Sequence, residues 1–165
     1  MNVNLVPLSL ADAESISDRV YDWWVEMYSK EIPTGVEGLR SIFDREETPD
    51  HIRAHISGGT VYSDIVVEGK VVGLAAYRPG PEVFYIDKLY LDASARGMGI
   101  GGECLEEMLS IARSRGCTKA LLHVSRGNKA AYRFYLNRGF VLDHIEEITD
   151  CFGVTSERHH LVRLL

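Results

Sequence analysis

The sequence predicts an α/β (α+β) fold in one domain spanning residues 1–165, a mixed sheet flanked by helices. Three observations lead there. Val83 to Leu91 is a run of apolar and β-forming residues, followed by a short polar turn, Arg96, four glycines in six residues, a helical apolar stripe and the β-rich Ala120 to Val124. A strand, helix, strand crossover of this length makes the two strands parallel, right-handed neighbours. Upstream, Val61 to Glu68 and Val71 to Tyr77 flank a glycine turn and read as an antiparallel hairpin. At 165 residues and 45% hydrophobic, the chain can bury about 70% of its unfolded surface without disulfide or metal staples.

Each element has its own reason. Val3 to Leu8 alternates apolar and polar residues beside Pro7, which suggests an edge strand. A helix capped by Ser9 or Asp12 follows, with Ala13, Ile16, Val20, Trp23, Trp24 and Met27 on one stripe. Its other side carries Glu14, Asp18, Asp22 and Glu26, which read as a solvated face. Between Ile32 and Gly59, Pro33, Gly35, Gly38 and Pro49 interrupt the pattern, leaving short helices over Leu39 to Phe43 and Pro49 to Ile56. Pro79-Gly80-Pro81 turns the hairpin into the central strand. After Gly102, the stripe of Cys104, Leu105, Met108, Leu109, Ile111 and Ala112 ends in Arg113, Arg115 and Gly116, cations at the negative end of the helix dipole. Asn128 caps a further helix ending at Arg138-Gly139, and Phe140 to Ile148 and Arg158 to Leu165 form a final strand pair.

The net charge of −6 disfavours nucleic acid as a partner and favours cationic over anionic substrates. Cys104, Cys117 and Cys151 are odd in number and lack a C-x-x-C pair, which suits reduced thiols in the cytoplasm. The first residues carry no cationic segment before an apolar run, and no stretch approaches the ~20 apolar residues that span a bilayer, so no membrane partner is expected.

The glycine cluster carries the chemistry. Glycines let a backbone approach a ligand closely, and the first amides of a helix face the positive end of its dipole, so a pyrophosphate would bind there. Gly97, Gly99 and Gly102 formally match the dinucleotide fingerprint, but the next strand ends His123-Val124-Ser125-Arg126 without the acidic residue that fingerprint requires. A Walker loop fails because Glu103 stands where lysine is needed. A tight turn with no ligand is the plain alternative. His51 and His55 share a helix face, but Ile52 replaces the glutamate of H-E-x-x-H, and two surface histidines are expected rather than a metal site.

Arg96-Gly97-Met98-Gly99-Ile100-Gly101, preceded by Leu89-Tyr90-Leu91, resembles the [RQ]-x-x-G-x-[GA] pyrophosphate loop of the GNAT acyltransferase superfamily. Asn128 to Phe140 is similar to that family's second signature, N-x-x-A-x-x-x-Y-x-x-x-G-F. The resemblance implies a mostly antiparallel central sheet whose parallel pair splays open to admit acetyl-coenzyme A. It implies that the backbone at Leu89, Tyr90 and Leu91 pairs with the pantetheine arm, with an amide at Leu89 polarising the thioester carbonyl. Arg96, Gly97, Met98, Gly99, Ile100, Gly101 and Gly102 would hold the pyrophosphate. Asn128 would contact the cofactor arm, although helix capping accounts for it equally well.

By the same resemblance Tyr135 is the acid for the departing thiolate, a phenol being protonated at neutral pH; a core aromatic is the alternative. Many relatives carry a glutamate at the position of Tyr85, and this chain departs from them. Asp87 is the nearest carboxylate, on the same face of a regular strand unless a bulge intervenes, and reads equally as a base or as a solvated side chain; a water relay or an already neutral amine would need no carboxylate. The implied activity is direct acetyl transfer to a primary amine, either a small cationic amine or a protein amino group, without a metal. A non-catalytic acyl-coenzyme A sensing module is the alternative. Trp23, Trp24 and Tyr28, beside carboxylates, would attract an ammonium group. His159 and His160 point to opposite faces and read as structural, and a homodimer is one assembly the sequence allows.

Overall fold

The computed structural model describes residues 2–30 and 32–165. In chain order the elements are β1 (Val3–Pro7), α1 (Ala13–Tyr28), α2 (Gly35–Glu46), α3 (Pro49–Ser57), β2 (Val61–Val67), β3 (Lys70–Pro79), β4 (Val83–Leu91), α4 (Ile100–Ser114), β5 (Lys119–Ser125), α5 (Lys129–Leu136), β6 (Val141–Thr149) and β7 (Thr155–Leu164). The strand order is β1-β2-β3-β4-β5-β7-β6, mostly antiparallel, with β4 and β5 the parallel pair. The chain clusters into two compact units, one of residues 1–9, 56–122 and 163–165, the other of residues 10–55 and 123–162.

In the first unit β1 to β5 form the sheet and α4 packs on it. Cys104, Leu105, Met108, Leu109 and Ala112 of α4 are fully buried, and each large apolar side chain so buried stabilises by about 1.5–3 kcal/mol. Burial pushes the Cys104 thiol up to about 12, so it acts as core and not as a nucleophile. Glu68 and Gly69 both have positive φ (50° and 77°), which makes the two-residue β2–β3 turn match the right-handed strand twist. Helix α4 ends with the Gly116 amide donating to the Arg113 carbonyl and the Cys117 amide to the Ala112 carbonyl, a glycine-terminated stop.

In the second unit α1 buries Ala13, Ile16, Val20, Trp23 and Trp24, while Glu14, Asp18, Asp22 and Glu26 are exposed as the solvated face requires. Trp23 and Trp24 are 6% and 9% exposed, and Trp24 packs edge-on against Phe43. Both are core residues, and the Arg19 guanidinium already lies 5.4 Å from the Trp23 ring centre, so of the three aromatic residues expected to attract an ammonium group Tyr28, half-buried, has the greatest exposure. Asp12 holds the N-cap position of α1 without a side-chain cap bond, and a 3-10 turn at Leu10–Asp12 leads into the helix.

The expected break at Gly38 is overturned, since it lies inside a longer helix, α2, whereas Gly35 is the first residue of that helix and keeps a left-handed φ of 60°. A Cβ at Gly38 would collide with the Thr34 side chain and come within 2.7 Å of an Asp150 carboxylate oxygen. Glycine costs a helix interior about 1 kcal/mol relative to alanine; here it makes room for the Thr34 hydroxyl to donate to Asp150 at 2.6 Å. Strand β7 begins at Thr155 rather than Arg158, because pairing with β6 continues through Thr149↔Thr155 despite the polar sequence.

Asp150 organises the β6–β7 turn. One carboxylate oxygen accepts the amides of Phe152 (2.8 Å) and Val154 (2.9 Å) while the other accepts from Thr34. The Thr34 bond, the two amides and nearby Arg45 hold its carboxyl below the usual range. A depressed folded value adds stability that is complete above the unfolded pKa, ~3.9, and is lost as pH falls through the folded value. Asp150→Asn should therefore lower Tm at pH 7 and flatten the fall of Tm below pH ~4, measured by thermal denaturation across pH. A variant as acid-sensitive as the parent would remove Asp150 from that dependence.

Candidate functional site

In the first unit the parallel ladder is three residues long: Val83↔Lys119, Phe84↔Ala120 and Tyr85↔Leu121. Among the described residues it ends there, while β4 continues to Leu91. The edge of β4 turned away from β3 is therefore not taken up by β5 beyond Tyr85, and its peptide groups suit pairing with an extended ligand. Leu89 and Tyr90 are half-buried on this stretch, opposite Ala75 and Leu74 of β3. Arg96 Nε donates to the Leu91 carbonyl at 2.9 Å, tying the loop to the end of the strand.

The loop itself has the expected form. Gly97 and Gly99 have φ of 76° and 84°, in the region that disfavours any side chain. A Cβ at either would meet nothing within 4 Å, so these glycines face open space and are set by backbone conformation. Gly99 occupies the N-cap of α4, and its carbonyl accepts the amides of Gly102 (3.0 Å) and Glu103 (3.2 Å). The helix's own bonding thus starts at Gly102, and the amides ahead of it lie at the positive end of a 15-residue dipole. Ile100 is 2% exposed and anchors the turn, whereas Met98 is 58% exposed. Gly101 and Gly102 are half-buried.

Strand β4 is not regular. Its register passes from Ala76↔Lys88 to Tyr77↔Ile86, so Asp87 is the residue inserted by a bulge. Tyr85 pairs with Arg78, whose guanidinium lies 4.3 Å from the Tyr85 ring centre, and Lys88 pairs with Ala76. The regular alternation that would put Asp87 on the face of Tyr85 is thus interrupted at Asp87 itself, by the bulge.

In the second unit Asn128 Oδ1 accepts the Ala131 amide at 3.0 Å, which establishes its capping role. Tyr135, on α5, is 7% exposed and packs edge-on against Phe134 and Phe140, with ring centres 5.0 Å and 5.6 Å away. The sequence reading missed a histidine cluster here. His160 of β7 stacks on His144 of β6 (ring centres 4.2 Å apart, 9° between planes) and lies 5.5 Å from His123 of β5. Its Nε2 is 2.7 Å from a Glu146 carboxylate oxygen, and the His160 bond holds the Glu146 carboxyl below its ordinary value. No linear spacing announces this cluster; it needs the β6–β7 register, which itself shifts between Leu142 and His144. His159, on the other face of β7, packs edge-on against Tyr132, and His51 Nδ1 bonds the Thr48 hydroxyl at 2.7 Å. Among the described residues no group of three or more His, Cys, Asp or Glu side chains is arranged to hold a metal ion, and no helix is long and apolar enough to cross a membrane.

Comparison with known proteins gives a match to the model of the acetyltransferase (GNAT) family over residues 17–140. The chain belongs to the acetyltransferase (GNAT) family. Glucosamine 6-phosphate N-acetyltransferase of Trypanosoma brucei brucei is 33% identical over 79 residues, 44% of this chain and 52% of that protein. The chain thus spans about half the length of that curated relative. Among solved structures, a GCN5-related N-acetyltransferase from Rhodopseudomonas palustris superposes with a TM-score of 0.77 at 20% identity, covering 100% of this chain and 97% of the other. The PaiA N-acetyltransferase of Thermoplasma acidophilum, in complex with coenzyme A, gives 0.76 at 18% identity with both chains fully covered. At these identities the structures establish the GNAT fold.

Proposed function

We propose that this GNAT chain, acting as one catalytic domain, transfers the acetyl group of acetyl-coenzyme A directly to a primary amine, either a small cationic amine or a protein amino group. The observation that carries this reading is the parallel ladder ending at Tyr85, followed by a loop whose Gly97 and Gly99 adopt positive φ at the head of α4. The opened edge of β4 at Leu89 to Leu91 takes the pantetheine arm, and the loop amides with Arg96 take the pyrophosphate. Asn128 combines its cap bond with a contact to the cofactor arm.

The chemistry needs a neutral amine, a polarised thioester and a proton for the thiolate. The amine lone pair attacks the carbonyl carbon, an amide at Leu89 stabilises the oxyanion, the C–S bond breaks, and Tyr135 protonates the sulfur. Asp87, at the register shift of β4, is the carboxylate this reading assigns as base for the acceptor's ammonium group, with a water relay or an already neutral amine as the alternatives. An amino sugar phosphate enters the acceptor list because of the name of the trypanosomal relative. Free Cys104, Cys117 and Cys151 favour a reducing, cytoplasmic setting.

Thiol release from acetyl-coenzyme A, screened over glucosamine 6-phosphate, polyamines, aminoglycosides, amino acids and peptides, is the test. One amine class should be acetylated with kcat/KM rising as the ammonium loses its proton. Tight acetyl-coenzyme A binding with no thiol release above the uncatalysed rate would favour a sensing module instead.

A further inference from the structure

We propose that Arg78, held over the ring of Tyr85, binds an oxyanion carried by the acceptor, a phosphate or a carboxylate, so that the amine acetylated is one with such a group several bonds from its nitrogen. The inference rests on the acetyltransferase reading above and narrows its acceptor. Every residue it uses lies in the first unit. Tyr85 closes the parallel ladder, pairing with Leu121 of β5 at its last rung, and on its other side it pairs with Arg78 of β3. The Arg78 guanidinium sits over the Tyr85 ring, 4.3 Å from its centre. A Cβ at Gly80, just past the end of β3, would come within 3.9 Å of Tyr85 Cε2. Both neighbours belong to the β3 side, so the ring leans that way and leaves the edge of β4 that β5 gives up clear of its own side chain.

Arg78 is exposed, and its guanidinium is uncommitted. Arg96 bonds the Leu91 carbonyl, and Arg113 and Arg163 reach Glu106; among the described residues Arg78 has no ion pair and no hydrogen-bond acceptor. A guanidinium on an aromatic face keeps its N–H donors free for a planar, two-point contact, and the ring restrains the long side chain before a ligand arrives. Less rotamer freedom is then lost per bond formed, and the fork matches a carboxylate or phosphate with two parallel N–H···O bonds. At physiological ionic strength the chain's net charge of −6 is screened beyond about 8 Å, so local groups decide what binds here.

Spacing fixes what the acceptor must look like. Leu89, whose amide is assigned to the thioester carbonyl, pairs with Ala75, and Tyr85 pairs with Arg78. Ala75 and Arg78 are three residues apart on β3, about 10 Å along the strand. The nucleophilic nitrogen reaches the carbonyl carbon at one end of that span while the oxyanion meets Arg78 at the other. An α-amino acid, its carboxylate next to its amine, is too short; an amino sugar phosphate or an ω-amino acid is long enough. The oxyanion lies away from the bonds that change, so Arg78 holds it equally in the ground and transition states and its contribution appears in KM rather than in kcat.

The test uses the full chain and the variants R78Q and R78K with two matched pairs of amines, glucosamine 6-phosphate against glucosamine and 6-aminohexanoate against hexylamine. Thiol release gives kcat and KM for each amine, and calorimetry reports acetyl-coenzyme A affinity independently. The wild type should prefer the anion-bearing member of at least one pair by about 10- to 100-fold in kcat/KM, the range of a hydrogen bond to a charged group, and the pair that shows the preference identifies the oxyanion. R78Q should erase that preference through KM while binding acetyl-coenzyme A as the wild type does, and R78K, a point charge without the fork, should restore part of it. A wild type that prefers neither anion-bearing amine, or an R78Q variant that keeps the preference, would overturn the assignment while leaving the acetyltransferase intact. A preference lost in R78Q together with acetyl-coenzyme A affinity would make Arg78 a structural residue. A wild-type chain that does not bind acetyl-coenzyme A would remove the acetyltransferase reading itself, and the acceptor assignment with it.

Discussion

Gly99→Glu is expected to weaken coenzyme A binding by about 1000-fold while leaving the chain folded. Two effects act at this residue, and they separate. Gly99 has φ of 84° at the N-cap of α4, where any L side chain costs about 1–2 kcal/mol. That strain lowers Tm by a few degrees but does not abolish folding, because a Cβ there meets nothing within 4 Å. The second effect is charge: a carboxylate reaching into the open space before the helix lies where the pyrophosphate is proposed to bind. Two like charges about 4 Å apart near a protein surface repel by ~4 kcal/mol, which is the thousandfold. Gly99→Ala carries the strain without the charge, so it should lose Tm comparably and retain affinity within about tenfold. Calorimetry with coenzyme A on both variants decides: equal affinity for Gly99→Glu and the parent would place the phosphate elsewhere.

The legible parts of this protein are those written locally. The glycine loop could be read because positive φ restricts residue choice position by position, as at Gly97 and Gly99, and the crossover because a strand, helix, strand pattern leaves one handedness. The cap at Asn128 is a bond between residues three apart, Asn128 and Ala131. The illegible parts are those made by neighbours distant in sequence. Gly38 looks like a helix breaker until Asp150, 112 residues later, is brought against Thr34. Asp87 looks regular because a bulge is a property of the β3–β4 register and not of β4 alone. The histidine cluster joins residues of β5, β6 and β7 whose only common feature is a sheet position. The family match over residues 17–140 takes in the loop, the crossover and the Asn128 cap but ends before Asp150, His144 and His160.

Tyr135→Phe is expected to lower turnover by about 100-fold or more, in the range general acids contribute, with acetyl-coenzyme A affinity nearly unchanged. The substitution isolates the hydroxyl, since phenylalanine keeps the ring contacts to Phe134 and Phe140 that hold α5 in the core of its unit. At 7% exposure the ring itself has no room to adopt a new position, so the core should not repack. The effect must fall on the step in which the thiolate departs. Without the phenol, sulfur leaves as an anion or takes a proton from water, and kcat and kcat/KM fall together because the lost interaction exists only in the transition state. The penalty should shrink for an acetyl donor whose leaving thiol is more acidic, such as an aryl thioester of similar size, because such a thiolate departs without help. Stopped thiol-release assays with both donors, alongside calorimetry, read all three quantities. Parallel loss of affinity and turnover would make Tyr135 a packing residue, and a penalty equal for both donors would take it out of the protonation step.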